Sequence, residues 1–154
     1  MHIDTRNRII SGVLAVIIIV LAWVLYDSIV SPYEKIEKQR AVTEQVRHRM
    51  SVVRDALVEH QRRNNAFPES LDDLVNWLKT NDEMVERGSE LFPFLPPHEY
   101  NPDSLIYSPR TGNRFNYTLN DTLRPNIYLL EDPDTDDAIG SLERTNLLNA
   151  TNWN

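Results

Sequence analysis

The stretch IISGVLAVIIIVLAWVLYDSIV, Ile9–Val30, decides how the rest of the chain can fold. From Ile9 to Tyr26 there are 18 consecutive residues without a charge, and 12 of them are Ile, Val or Leu. At about 1.5 Å per residue a helix of that length spans about 27 Å, close to the ~30 Å hydrocarbon core of a bilayer. Twelve aliphatic side chains at about −0.3 to −0.6 kcal/mol each favour insertion by roughly 4–7 kcal/mol. Trp23 and Tyr26 stand near one end, where amphipathic rings settle at the headgroup level. A chain of 154 residues has no core deep enough to wrap such a helix on every side. No small-residue cleavage site follows in Asp27-Ser28-Ile29-Val30, so the run does not read as a removable signal peptide. The expectation is a single transmembrane helix over residues 9–30. A polar tail, residues 1–8, precedes it, with Arg6 and Arg8 placed to reach lipid phosphates.

The 124 residues from Ser31 onward suffice for one modest domain. The chain has no cysteine, which excludes disulfides, thiol nucleophiles and thiolate metal sites. Its net charge of −7 is unevenly spread. Tyr33–Arg63 carries eight Lys or Arg against five Asp or Glu, and the remainder to Asn154 carries six against sixteen. A basic stem beside the span suits anionic lipid, and an acidic head argues against nucleic acid. Arg6 and Arg8 on one side of the span, with Lys35, Lys38 and Arg40 on the other, leave the orientation undecided by charge alone.

Ser31-Pro32 should end or kink the helix, because proline lacks an N–H and clashes with the preceding turn. Tyr33–Arg63 then reads as a second helix or as the same helix continuing. Val46, Met50, Val53, Leu57 and His60 recur at spacings of four and three and form one apolar stripe. Gln39 and Thr43 weaken that stripe nearer the span, so residues 31–63 form a stem solvated at first and packed on a domain further on. Two heptads of such a stripe also suit a short coiled coil. Asn64-Asn65 breaks the helix. Ser70-Leu71-Asp72-Asp73 is a capping-box-like start for a short helix through Leu71, Leu74, Val75 and Leu78, ending near Thr80. Asn81–Glu90 reads as an acidic loop with at most a helical turn at Met84. Leu91–Pro97, with three prolines, should lie extended over the core.

Strand signals follow. Ser104–Tyr107, Arg114–Leu119 and Asn126–Leu130 are short apolar or alternating runs, separated by turns at Pro109–Gly112 and Asn120-Asp121. Ile139–Leu142 suits one more strand or a turn. The head, residues 64–142, is therefore expected to be α+β, a small antiparallel sheet covered by the stem helix. Residues 143–154 read as an extended, partly ordered tail.

The segment ALVEHQRRNNAFPESLDDLVNWLKT, residues 56–80, resembles the stem-to-head junction of bacterial pseudopilins and type IV pilins. The matching positions are Leu57, Phe67, Pro68, Ser70, Leu71 and Leu74. PRTGNRFNYTLNDTLRPNIYLLEDPDTDD, residues 109–137, is similar to the sheet and acidic C-terminal loop of that family. The resemblance implies a pilin-like head, a cytoplasmic N-terminus and a head in the periplasm. The chain departs from the family at its start. Asn7-Arg8-Ile9-Ile10-Ser11-Gly12 offers no prepilin peptidase site, and no acid lies between Arg8 and Tyr26. The apolar run is accordingly expected to be a permanent anchor.

The acidic loop is the sharpest local motif. Asp132, Asp134, Asp136 and Glu143 fall at positions 1, 3, 5 and 12 of a calcium-loop template. Asp137 stands at the sixth position, where that template has glycine, and Pro133 stiffens the start. Calcium bound by these four carboxylates and a solvated acidic turn are the two readings. His2, His48, His60 and His98 are scattered; His60 lies on the stripe and reads as a packing residue. His98-Glu99 lacks a spaced partner, and no nucleophile elbow, phosphate loop or dinucleotide fingerprint is present. Triplets at Asn116, Asn120 and Asn149 match the glycosylation pattern, as Asn/Thr-rich sequence does by chance.

The expected function is a non-catalytic structural subunit of a bacterial inner-membrane complex. It would contact other integral membrane subunits through the span, and protein partners through the head. The alternatives are a secretion or pilus component, an accessory subunit of a respiratory or photosynthetic complex, and a membrane-anchored enzyme using His98, Glu99 or the acidic loop.

Overall fold

Between Gly12 and Gly88 the sequence has no glycine, and its hydrophobic pattern keeps a helical period over much of that length. The computed structural model describes residues 2–153, without the side chains of residues 2–5 and 30–32. Helix α1 runs His2–Asn64 as one element. Its helical backbone carries on through Ser31 and Pro32, so of the two readings there it is the continuing helix, not an end, that is found. A single proline removes one N–H from the ladder and costs about 3 kcal/mol in a helix interior, while the bonds on either side remain available.

Internal packing divides the chain into Met1–Ala41 and Val42–Asn154. The head unit thus begins inside α1 rather than after it. In the first unit, every described large apolar residue from Ile9 to Ile36 is between 47% and 70% exposed.

In the second unit the stripe on α1 is core. Val46, Met50, Val53, Ala56 and Leu57 are fully buried, and they pack with residues from the sheet and α2. Asn65, with φ 57°, turns the chain away after the helix. Helix α2, Leu71–Thr80, starts where the capping pattern predicts: the Ser70 hydroxyl accepts from the Asp73 N–H at 3.2 Å and donates to its carboxylate at 2.6 Å. Leu71, Leu74, Val75 and Leu78 are its buried face.

Two elements correct the sequence reading. Asp82–Leu91, expected as loop, is a ten-residue helix, α3. Asn81 caps it by accepting from the Met84 N–H at 3.2 Å, Asp82 and Glu83 oppose the dipole at its first turn, and Met84 anchors it in the core. Pro102–Leu105, which takes in the first two residues of the expected strand Ser104–Tyr107, is a single helical turn, α4, capped by Asn101 with proline at its start. Adjacent Leu105 and Ile106 are both buried, which a half-covered strand would not allow. Only the Tyr107–Arg114 bridge survives from that strand.

The sheet is antiparallel, in the order β1 (Asn116–Asn120), β2 (Ile127–Glu131), β3 (Ala138–Gly140). Tyr117 opposes Leu130 and Leu119 opposes Tyr128, so these four point to one face. Tyr128 and Leu130 are fully buried beneath α1 and the Phe67 ring. Gly140 has φ 92°, and a Cβ there would run into the Tyr128 carbonyl, so no other residue suits that place. The tail is held more firmly than its composition suggests. It forms a 3₁₀ turn at Thr145–Leu147, bridges Ile139 through Thr151, and packs Leu148 and Trp153 on the core.

Candidate functional site: the acidic loop and its clamp

The β2–β3 connection is a tight turn because it closes on itself. The Asp132 N–H donates to the Asp137 carbonyl at 2.9 Å, and the Thr135 hydroxyl donates to Asp132 Oδ2 at 2.8 Å. The Asp137 N–H in turn donates to that hydroxyl at 3.3 Å. Asp132 is buried, and its Oδ1 has no protein partner.

Each carboxylate of the loop faces a different neighbour. Asp134 accepts from the Thr111 hydroxyl and from the Asn113 amide at 2.9 Å, which ties the loop to the 109–112 turn. These two bonds, together with the nearby Arg110 charge, hold the Asp134 carboxyl below the usual carboxylate range. Asp137 receives both Nε and Nη2 of Arg47 from α1, each at 2.8 Å. That pairing raises the Arg47 guanidinium above its ordinary value, and its Cζ also lies 5.4 Å from the centre of the Trp153 ring. One turn earlier on α1, the Thr43 hydroxyl accepts from Arg110 at 3.1 Å. Asn152 closes the assembly from the tail, donating to the Asp136 carbonyl at 2.5 Å and accepting from the Ala138 N–H at 2.9 Å.

Of the four carboxylates expected to ligate calcium, Asp132 and Asp134 are engaged by hydroxyl and amide donors, and Asp136 and Glu143 are exposed. Among the described residues no three His, Asp or Glu side chains form a group able to hold a metal ion. Asp137, the residue standing where a calcium loop needs glycine, is instead the one that a cation from α1 neutralises. The loop works as a clamp between helix, turn and tail.

A second arginine shows what the same stem can bury. Arg49 is 5% exposed, donates to the Ser104 carbonyl at 2.7 Å, and stacks 3.5 Å from the centre of the Phe94 ring. Burial pushes its guanidinium down to about 10. His60 behaves as a packing residue, bonded to the Ala66 carbonyl at 2.8 Å and set edge-on against Trp77 at 5.0 Å. His48 meets the Pro93 carbonyl at 2.9 Å, while His98 and Glu99 are exposed. Asn149, from one of the glycosylation-like triplets, accepts from the Tyr128 hydroxyl at 2.8 Å.

The sequence reading missed Arg47, Arg49, Trp153 and Asn152. An apolar stripe passes over the arginines between its positions, and the 90 residues separating Arg47 from Asp137 leave no spacing to recognise. Comparison with known proteins yields no match: no family model, no curated protein and no solved structure aligns with this chain.

Proposed function

We propose that this chain is a non-catalytic, membrane-anchored subunit of a multiprotein complex in a bacterial inner membrane. One transmembrane helix holds it, and its pseudopilin-like head lies on the periplasmic side. A single observation supports the anchor: α1 is long and apolar enough to cross a membrane, and none of its apolar window is buried by the rest of the protein. The head builds its core from Val46 onward and makes no use of the apolar run. Seventeen large apolar side chains left in water are far beyond the exposed patch that a soluble monomer carries.

The subunit reading draws on how the head uses its polar residues. Four of its ion pairs join one element to another: Arg47 to Asp137, Arg63 to Glu83, Lys79 to Asp103, Arg114 to Asp72. The test is affinity purification from native membranes in mild detergent. Discrete integral-membrane partners are expected to copurify, and the chain should resist alkaline extraction. A chain extracted at alkaline pH without detergent would sink the anchor, and one recovered alone would sink the subunit reading.

A secretion or pilus component is the second reading, favoured by a long helix packed on an antiparallel meander. It requires processing near the N-terminus. An intact Met1 or His2 terminus by mass spectrometry excludes it.

A further inference from the structure

The head leaves little apolar surface in view. Among its described residues only two large apolar side chains are exposed, Val85 at 64% and Tyr107 at 42%. Val85 stands on α3 beside an open hollow of about 370 Å³. The other walls of that hollow include Leu78 of α2, Met84 of α3, and Tyr100 and Pro102.

A glycine inside a helix shapes this hollow, although glycine weakens a helix interior. A Cβ on Gly88 would come within 2.8 Å of the Tyr100 ring and hydroxyl, so the bare Cα is what lets Tyr100 lie against α3. Phe94, edge-on at 5.6 Å, and Phe92, at 6.3 Å, hold the Tyr100 ring from other sides. At about 3.6 residues per turn, Met84 and Gly88 lie on one side of Val85 and Asp82, Glu86 and Ser89 on the other. Val85 is therefore the apolar boundary between a hollow and an acidic face.

The acids on that face are unmatched. Asp82 and Glu86 are exposed and spaced i,i+4, where like charges repel. Among the described residues neither carboxylate has an ion pair or a side-chain hydrogen bond, whereas Glu83 pairs with Arg63 and Arg87, and Glu90 with Arg87. Lys79, at the rim of the hollow, is already held by both carboxylate oxygens of Asp103 at 2.8 and 3.0 Å. Asp82 serves the dipole at the first turn of α3, but Glu86 stands too far along the helix for that role. An acidic face alone is merely solvated. Here it borders the most exposed large apolar side chain of the head and a preformed hollow, so apolar and ionic contacts can be made together.

Charge also selects the occupant. From Asn64 onward the chain has six Lys or Arg against sixteen Asp or Glu, so α3 of a second copy would bring carboxylates against carboxylates. Anionic lipid and nucleic acid are repelled for the same reason. We propose that this face of α3 docks a basic segment of a partner subunit, with an aliphatic side chain of that segment in the hollow beside Val85 and its Lys or Arg on Asp82 and Glu86. This rests on the subunit reading above and adds the chemistry of the contact.

The chain has no cysteine, so Val85→Cys carries a benzophenone maleimide at one place only. The labelled full-length chain is irradiated in isolated native membranes, beside a control labelled through Asp121→Cys, an exposed position after β1. Position 85 should give a discrete adduct, and the crosslinked peptide of the partner should carry Lys or Arg on both sides of an aliphatic residue. Asp82→Lys with Glu86→Lys sets cation against cation and should cut the adduct yield at least about tenfold. Glu86→Lys alone, which leaves the first turn of α3 intact, should lower it in the same direction, and Asp121→Lys should not. Circular dichroism matching the wild type shows that each variant folds. No adduct from position 85, equal yield from position 121, a contact peptide rich in Asp and Glu, an adduct with a second copy, or a yield indifferent to charge reversal overturns the inference. If discrete partners still copurify in any of those cases, the subunit reading stands; a wild type recovered alone removes both.

Discussion

Residues 9–36 and 46–57 belong to one helix and have opposite relations to their surroundings. Ile18 and Leu21 are 62% and 60% exposed, while Val46 and Met50 are wholly enclosed. The difference lies in how apolar residues are distributed around the axis. In the first region they occur on every side, so no single packed layer could cover them. In the second they keep to one stripe, and a small sheet with two short helices suffices. Charge follows the same division: the first region excludes it for 18 residues, while the second sets Arg47 and Arg49 beside its stripe. One helix therefore carries two surfaces: an all-round apolar one long enough to cross a membrane, and a one-sided one packed on its own head.

The largest expected effect comes from charging the first region. Val16→Arg with Ile18→Arg adds about 5–7 kcal/mol of insertion cost at the helix centre, comparable to the whole favourable term. The doubly substituted chain should be released from membranes by alkaline extraction, and continued retention would break the comparison. The next largest concerns the stripe. Leu57→Ala should lower head stability by about 2–5 kcal/mol, because the site is enclosed and cannot readily collapse. Ile18→Ala removes the same number of carbon atoms and should leave the unfolding midpoint of the head unchanged. Denaturant unfolding in detergent measures both.

The clamp gives a smaller contrast. Asp137→Ala leaves Arg47 without its carboxylate and should lose about 1–2 kcal/mol, limited because the Arg47 side chain is 38% exposed. Asp136→Ala, one residue earlier and exposed, should change stability by less than about 0.5 kcal/mol. Calcium and chelator should give the same thermal midpoint; a rise with calcium would show that the loop rearranges around an ion. The smallest effect is in pH. The Asp134 carboxyl lies lower in the folded head than in the open chain, so its stabilising contribution is present above about pH 4 and fades as pH falls further. Asp134→Asn should flatten that part of the melting profile between pH 5 and 2.

What the sequence revealed depended on how local the physics was. The stripe on α1 and the Ser70 cap are written within a few residues, and both were legible. So was the β1–β2 pair, where alternation and an intervening turn agree. α3 was equally local but was masked by its polarity: only Met84 and Gly88 are buried, and Asn81-Asp82-Glu83 was the signal to weigh. For α4, Asn101-Pro102 marked a helix start that the apolar run behind it outweighed. The Arg47 pairing of the acidic loop could not be read from the loop alone, because its partner lies on α1.

The tail has a further consequence, for the kind of assembly that damage would produce. Cutting the chain after Leu147 would remove the Ala150, Thr151 and Asn152 contacts and bare the backbone of β3. A bared edge strand is a template on which another strand can pair. Residues 148–153 therefore cover a sheet edge, and proteolysis there should leave a head that aggregates more readily.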